Sequence, residues 1–200
     1  MRTSILLSSL AFATGISAQY YANQTEPFQL ILSSTTNSTL NGAALYACHE
    51  GAAIEGLCVG ASGPPSLSNT YNFNYTDQQT PDEVLGYTGL VTWVLHGGNF
   101  NASSSLQLEP QPTTNVAVPL FFPGDQGFAS FGFDQEDKLY VLGYLDNTVS
   151  PPVYKTQAYY HWYACITNAG YVYQTLAWTV GSGAPENPSC QKVDVKRVFI

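Results

Sequence analysis

Charge is what this 200-residue sequence lacks most. Asp, Glu, Lys and Arg make up 10% of it, 14 acidic against 6 basic, for a formal net charge of −8 at pH 7. So few cations cannot neutralise a run of phosphates, and an acidic surface repels anions, which makes nucleic acid and anionic membrane poor partners. Helical patterning is also scarce: apolar residues almost nowhere recur at three- and four-residue intervals. No hydrophobic span follows the N-terminal segment, and the C-terminus KVDVKRVFI alternates instead of forming the apolar tail of a lipid-anchor signal. There is no Cys-x-x-Cys, which argues against a zinc knuckle or redox dithiol, and no Gly-x-Ser-x-Gly nucleophile elbow.

What is present is a series of short apolar stretches rich in Val, Phe, Tyr, Trp and Thr, separated by SGPP, HGGN, PGDQG, VSPP and GSGAPENP. Their length and alternation predict strands near 27–33, 44–48, 70–75, 89–95, 105–110, 116–122, 127–133, 138–145, 159–166, 171–178 and 193–199. About eleven short strands at this spacing imply an antiparallel β-sandwich or barrel. A β-trefoil is the alternative by size, but no threefold repeat supports it. No linker divides the chain, so residues 19–200 read as one all-β domain.

The opening MRTSILLSSLAFATGISA places Arg2 before an apolar run too short to span a bilayer, then small residues up to Ala18. That layout predicts a signal peptide over residues 1–18, a mature terminus at Gln19, and a soluble product in the extracellular space or cell wall. Four Asn-x-Ser/Thr sequons, at Asn23, Asn37, Asn74 and Asn101, predict glycosylation and surface positions, whereas Asn187 is followed by proline. The four cysteines, Cys48, Cys58, Cys165 and Cys190, suit an oxidising compartment and predict two disulfides. Three pairings are open; Cys48–Cys58 with Cys165–Cys190 is favoured because short loops close most readily.

Catalytic and metal chemistry finds little support. PGDQG (123–127) and DQED (134–137) lack the spacing and closing carboxylate of a calcium loop and read as hairpin turns. Glycoside hydrolysis needs two carboxyl groups facing across a cleft, and only Glu50 and Glu55, inside the Cys48–Cys58 loop, form a pair worth testing. His49, His96 and His161 lack ligand spacing, and Gln19 cannot supply the N-terminal histidine of a copper oxygenase. No catalytic residue, metal ligand or cofactor is assigned.

Three segments carry a resemblance: LNGAALYACHEGAAIEGLCVG (40–60), GYLDNTVSPPVYKTQAYYHWYAC (143–165) and TLAWTVGSGAPENPSCQKVDVKRVF (175–199). They resemble small secreted proteins of filamentous ascomycete fungi, loosely similar to the cell-wall proteins of spore-bearing cells (phialides) and to secreted fungal antigens. The resemblance runs from about Phe28 to Ile200. It implies a secreted or cell-wall glycoprotein and brings no catalytic motif.

The loudest chemical signal is AYYHWYACITNAGYVYQTLAW (158–178), read as an aromatic hairpin turning at NAG (168–170). With Thr167 opposite Tyr171, residues of one parity share a face. The even face, Tyr160, Trp162, Ala164, Ile166, Val172, Leu176 and Trp178, should enter the core, interrupted only by Gln174. The odd face offers Tyr159, His161, Tyr163, Tyr171 and Tyr173 as a candidate glycan-binding ladder. The expected function is a non-enzymatic extracellular or cell-wall glycoprotein that binds polysaccharide. A small secreted polysaccharide hydrolase is the runner-up, and an effector binding a host protein the third reading.

Overall fold

The computed structural model describes residues 21–78, 80–125 and 129–200. The expected signal peptide (1–18) and Gln19 lie outside the described residues, as do Gln126 and Gly127 of the PGDQG turn. Among the described residues fifteen strands are formed: β1 (Asn23–Gln24), β2 (Phe28–Ser33), β3 (Ala44–Gly51), β4 (Ile54–Gly60), β5 (Asn72–Tyr75), β6 (Thr88–His96), β7 (Asn101–Pro110) and β8 (Val116–Pro123). They continue with β9 (Phe131–Phe133), β10 (Leu139–Asp146), β11 (Val153–Tyr159), β12 (Trp162–Asn168), β13 (Val172–Thr179), β14 (Gln191–Lys192) and β15 (Asp194–Phe199). The only helical element among the described residues is a 3-10 turn, Ser38–Leu40, capped by the Asn37 side chain.

Eleven strands follow one antiparallel path, β11-β10-β9-β6-β7-β8-β13-β4-β3-β2-β15, with β5, β1, β12 and β14 added beside it. The sheet curls into a half-barrel, so the antiparallel all-β fold expected as a sandwich or barrel is found, and the trefoil alternative is not. At β13 three strands meet: it pairs β4 at Thr175↔Cys58 and β8 at Trp178↔Ala117, while β4 and β8 also pair directly. Every stretch predicted as a strand contains one. Two substantial strands were not expected, β4 inside the Cys48–Cys58 loop and the edge strand β11. The predicted 159–166 strand is divided, because Tyr159 ends β11 and β12 begins at Trp162.

Curling returns the last strand to the turn between β9 and β10. Lys138 bridges to Lys196, and the Arg197 N–H donates to the Asp137 carbonyl at 2.9 Å. The Arg197 Nε and Nη2 both donate to Asp137 Oδ1, at 3.0 and 2.6 Å. Its guanidinium carbon lies 4.3 Å from the Phe133 ring centre and 4.6 Å from that of Phe199. The DQED segment is indeed a hairpin turn: Asp134 Oδ1 accepts the Glu136 and Lys138 N–H groups, both at 2.9 Å.

The core is aromatic, and the polar groups of Trp162, Tyr71 and Tyr140 within it find partners, as buried donors do. Trp162 is fully buried, stands edge-on to Trp178 at 4.7 Å, and donates from Nε1 to Leu139 O at 2.8 Å. The buried Tyr71 and Tyr140 hydroxyls donate to Leu45 O and Leu85 O, at 2.9 and 2.8 Å. Both disulfides pair as favoured: Cys48–Cys58 staples β3 to β4, and Cys165–Cys190 ties β12 to the segment before β14. No cysteine is free. Among the described residues no helix is long and apolar enough to cross a membrane.

Glycine and aromatic residues face each other across the sheet. Gly132 pairs with Tyr140, whose ring occupies the place a Cβ would take. Gly143 receives the Tyr159 ring in the same way. Because the Tyr140 hydroxyl is held by Leu85, its ring cannot retreat freely. Gly132→Ala should therefore cost about 1–3 kcal/mol by overpacking, read as a lower denaturant midpoint. Unchanged stability would contradict this packing.

Burial, and behind it the charges of Asp82 and Asp134, pushes the Tyr140 hydroxyl from 10.0 up to about 12. Burial also raises Tyr71 and Tyr160, the latter further through its bond to Asp134. A phenol whose folded pKa exceeds its unfolded one stabilises fully below the unfolded value and stops doing so above the folded one. Folding stability should thus be insensitive to these groups below pH 10 and fall between pH 10 and about 12. Tyr140→Phe should show a shallower fall over that window in denaturant titrations; an identical slope would refute the assignment.

Candidate functional site

The candidate site forms where the tips of two hairpins touch. In the β3–β4 hairpin, Ala52 and Ala53 make the turn, with Ala53 at φ +60°, and the pairing slips between His49 and Gly51, leaving Glu50 as a bulge. The Glu50 side chain is 4% exposed and lies over Gly56, where a Cβ would come 3.1 Å from Glu50 Cγ. From there Oε2 accepts the Tyr171 N–H of the β12–β13 turn at 3.0 Å. Gly170 packs so closely on the Glu50 carbonyl that a Cβ would overlap its oxygen.

This contact explains a correction to the hairpin register. The expected partner of Thr167 was Tyr171; it is Tyr173, and Asn168 pairs with Val172. The three-residue turn is therefore Ala169–Tyr171 instead of 168–170, one place later than expected. The neighbouring hairpin demands a glycine against Glu50 O and a free N–H at residue 171, so a tertiary contact selects the turn. A shift of two in the sum of paired residues preserves parity, and the division into faces survives.

On the even face Trp162, Ala164, Leu176 and Trp178 enter the core as expected. Ile166 and Val172 do not, being 48% and 64% exposed, because the hairpin tip runs past the core. Tyr160 leaves this face altogether: it precedes β12 and donates its hydroxyl to Asp134 Oδ2 at 2.9 Å.

The odd-face ladder is divided into three places. Tyr159 meets His161 edge-on at 5.5 Å, and His161 stacks on Trp178 at 5.2 Å with Nδ1 3.2 Å from Thr179 O. Tyr163 is half-buried under Lys192 Nζ, 5.0 Å from its ring centre; burial lowers the pKa of that lysine. Tyr171 and Tyr173 remain together, their rings 6.1 Å apart at 29°, and His49 joins them 5.6 Å from Tyr171. Tyr171 is 50% exposed. His49 Nδ1 lies 3.4 Å from Glu55 Oε1, with the histidine side chain 56% and the glutamate 13% exposed.

The structure thus joins half of the tyrosine ladder to the glutamate pair singled out from the sequence, through His49, which had no such role in the sequence reading. Its only signal was its place in the Cys48–Cys58 loop. His96 sits elsewhere, with Nδ1 3.0 Å from Asn101 Oδ1, and no group of three metal-ligating side chains occurs among the described residues. Chemically, the site offers a strip of ring faces with a histidine–carboxylate pair at its border, suited to stacking and hydrogen bonding. Of the sequon residues, Asn101 is exposed on the β6–β7 hairpin, while Asn23, Asn37 and Asn74 are half-buried. The Asn74 amide donates to Thr92 Oγ1 at 2.6 Å.

Glu50 and Gly170 should therefore behave as structural residues beneath the ring strip. Glu50→Ala leaves the Tyr171 N–H without an acceptor and should cost about 1–3 kcal/mol, Glu50→Gln less because an acceptor oxygen remains. Gly170→Ala, which collides with main chain, should shift the unfolding midpoint at least as much as Glu50→Ala. Wild-type midpoints for both alanine variants would overturn the contact.

No curated protein and no solved structure matches the chain. Residues 25–199 match the family described as Domain of unknown function (DUF7907), nearly the whole span of the sheet, and the chain belongs to that family.

Proposed function

We propose that the protein is a secreted glycoprotein of the fungal wall or extracellular space that binds glycans without hydrolysing them. The observation that carries this reading is the half-exposed Tyr171, aligned with Tyr173 and His49 at the junction of two hairpins. A flat apolar ring face with polar groups at its border suits the mixed C–H and hydroxyl surface of a pyranose. Two disulfides among four cysteines accord with an oxidising compartment.

The hydrolase reading keeps one observation in its favour: Glu50 Oε1 is buried with no hydrogen-bond partner among the described residues. Against it, Glu50 Oε2 is committed to the Tyr171 N–H and Glu55 to His49. Each carboxylate thus has one oxygen engaged, where an acid–base pair needs both groups available across a cleft.

Incubation with insoluble glucan or chitin, followed by a reducing-sugar assay, separates these readings. Binding without sugar release, weakened severalfold in Tyr171→Ala, is the expected result. Sugar release abolished by Glu50→Gln or Glu55→Gln would establish the hydrolase instead. Absence of both binding and release would favour an effector that contacts a host protein, with the exposed Ile166 and Val172 as its first candidate surface.

A further inference from the structure

We infer that the cavity around Arg197 binds a small carboxylate attached to a ring, the shared chemistry of a hexuronic acid and an aromatic acid. The cavity has a volume of about 200 Å³ and is lined by Thr25, Phe73, Tyr75, Tyr87, Phe133 and Arg197. It shares no lining residue with the Tyr171 ring strip. Five segments of the chain converge to build it, and Arg197 is the one charged residue among the described residues that line it.

The guanidinium is fixed before any ligand arrives. It lies between the Phe133 and Phe199 rings, and Asp137 Oδ1 takes Nε and one proton of Nη2. Only one edge of the fork is used in this way. The other edge, Nη1 with the second Nη2 proton, presents two parallel donors, the arrangement that takes both oxygens of a carboxylate. The Arg197 side chain is 15% exposed, so its donors are largely removed from competing water.

The remaining walls specify the body of the ligand. Tyr75 and Tyr87 lie 4.6 Å apart at 31°, and Phe73 stands 5.9 Å from Tyr75. These rings favour a flat ring over an extended aliphatic acid. Tyr87 also lines a neighbouring cavity of about 360 Å³ bordered by Asp82, Thr88 and Thr156, whose oxygens suit hydroxyl groups. A second negative charge on the ligand would meet Asp82 there, so the site should prefer monoanions.

Calorimetric or NMR titration of the intact protein with galacturonate, benzoate, galactose and acetate tests this. At least one of the two ring acids should bind at least about tenfold more tightly than galactose and acetate, the ratio expected for a charge-assisted hydrogen-bond pair. Which acid binds better identifies the source of the carboxylate. Arg197→Lys keeps the charge and loses the fork, and Tyr87→Ala removes a ring without touching the Asp137 contact; each should weaken binding about tenfold or more in folded protein. Galactose binding as tightly as galacturonate, failure of both acids to bind, or binding that Tyr87→Ala leaves intact while Tyr171→Ala abolishes it, would overturn the assignment.

Discussion

Asp137 sits in the β9–β10 turn, to which the last strand of the curled sheet returns, and its backbone and carboxylate both hold Arg197 of that strand. The energy of this closure does not come mainly from the ion pair. Asp137 is 44% exposed, and partly exposed pairs contribute up to about 1 kcal/mol. Two ring faces on the guanidinium contribute comparable amounts each, and the six-residue ladder of β15 on β2 brings fully buried Val195 against the core. The ion pair instead fixes orientation. A planar cation clamped by one carboxylate and two rings has little freedom left, and the adjoining cavity inherits a guanidinium already aimed. Closure of the fold and preorganisation of the cavity are the same contact.

A second dependence runs through Glu50. A sheet with few charges can bury a carboxylate only by giving it hydrogen bonds, and Glu50 receives one from the main chain of another hairpin. That bond and the close approach at Gly170 place the β12–β13 turn, and the turn places Tyr171 on the surface. The exposed ring strip is thus a consequence of a buried polar contact beneath it. The same bond engages one Glu50 oxygen, Oε2, in holding the turn.

These two contacts show where sequence reading succeeds. Residue parity along 159–178 assigned Trp162 and Trp178 to the core, because alternation is local and a hydrophobic stripe enforces it. It could not locate the turn, since Asn168, Ala169 and Gly170 permit either position and Glu50, far away in sequence, decides. β11 was invisible for a related reason: its first four residues, Val153 to Thr156, are exposed, so neither face carries an apolar pattern. β4 was hidden because its glycines and Cys58 read as a stapled loop, although Leu57 and Val59 alternate inward. The Arg197 cavity draws six residues from five places, and no spacing rule joins Thr25 to Tyr87 or Phe133 to Arg197.

The scarcity of charge acquires a structural meaning from this arrangement. Of the 6 basic residues in the whole chain, Lys138, Lys192 and Arg197 are each held by specific partners. Lys138 contacts Glu136 and Asp194, Lys192 reaches the carbonyls of Tyr160 and Trp162, and Arg197 has Asp137. The lysine donors radiate from a single nitrogen and can be satisfied by carbonyl or carboxylate oxygens scattered around it. Arginine spreads its donors over two edges, and a single monodentate oxygen satisfies only one of them. The unspent edge at an aromatic-walled cavity distinguishes Arg197 from the two lysines. It also makes the cavity selective by charge in a protein whose surface otherwise repels anions: distant repulsion is screened by salt within about 10 Å, while the donor pair acts at contact.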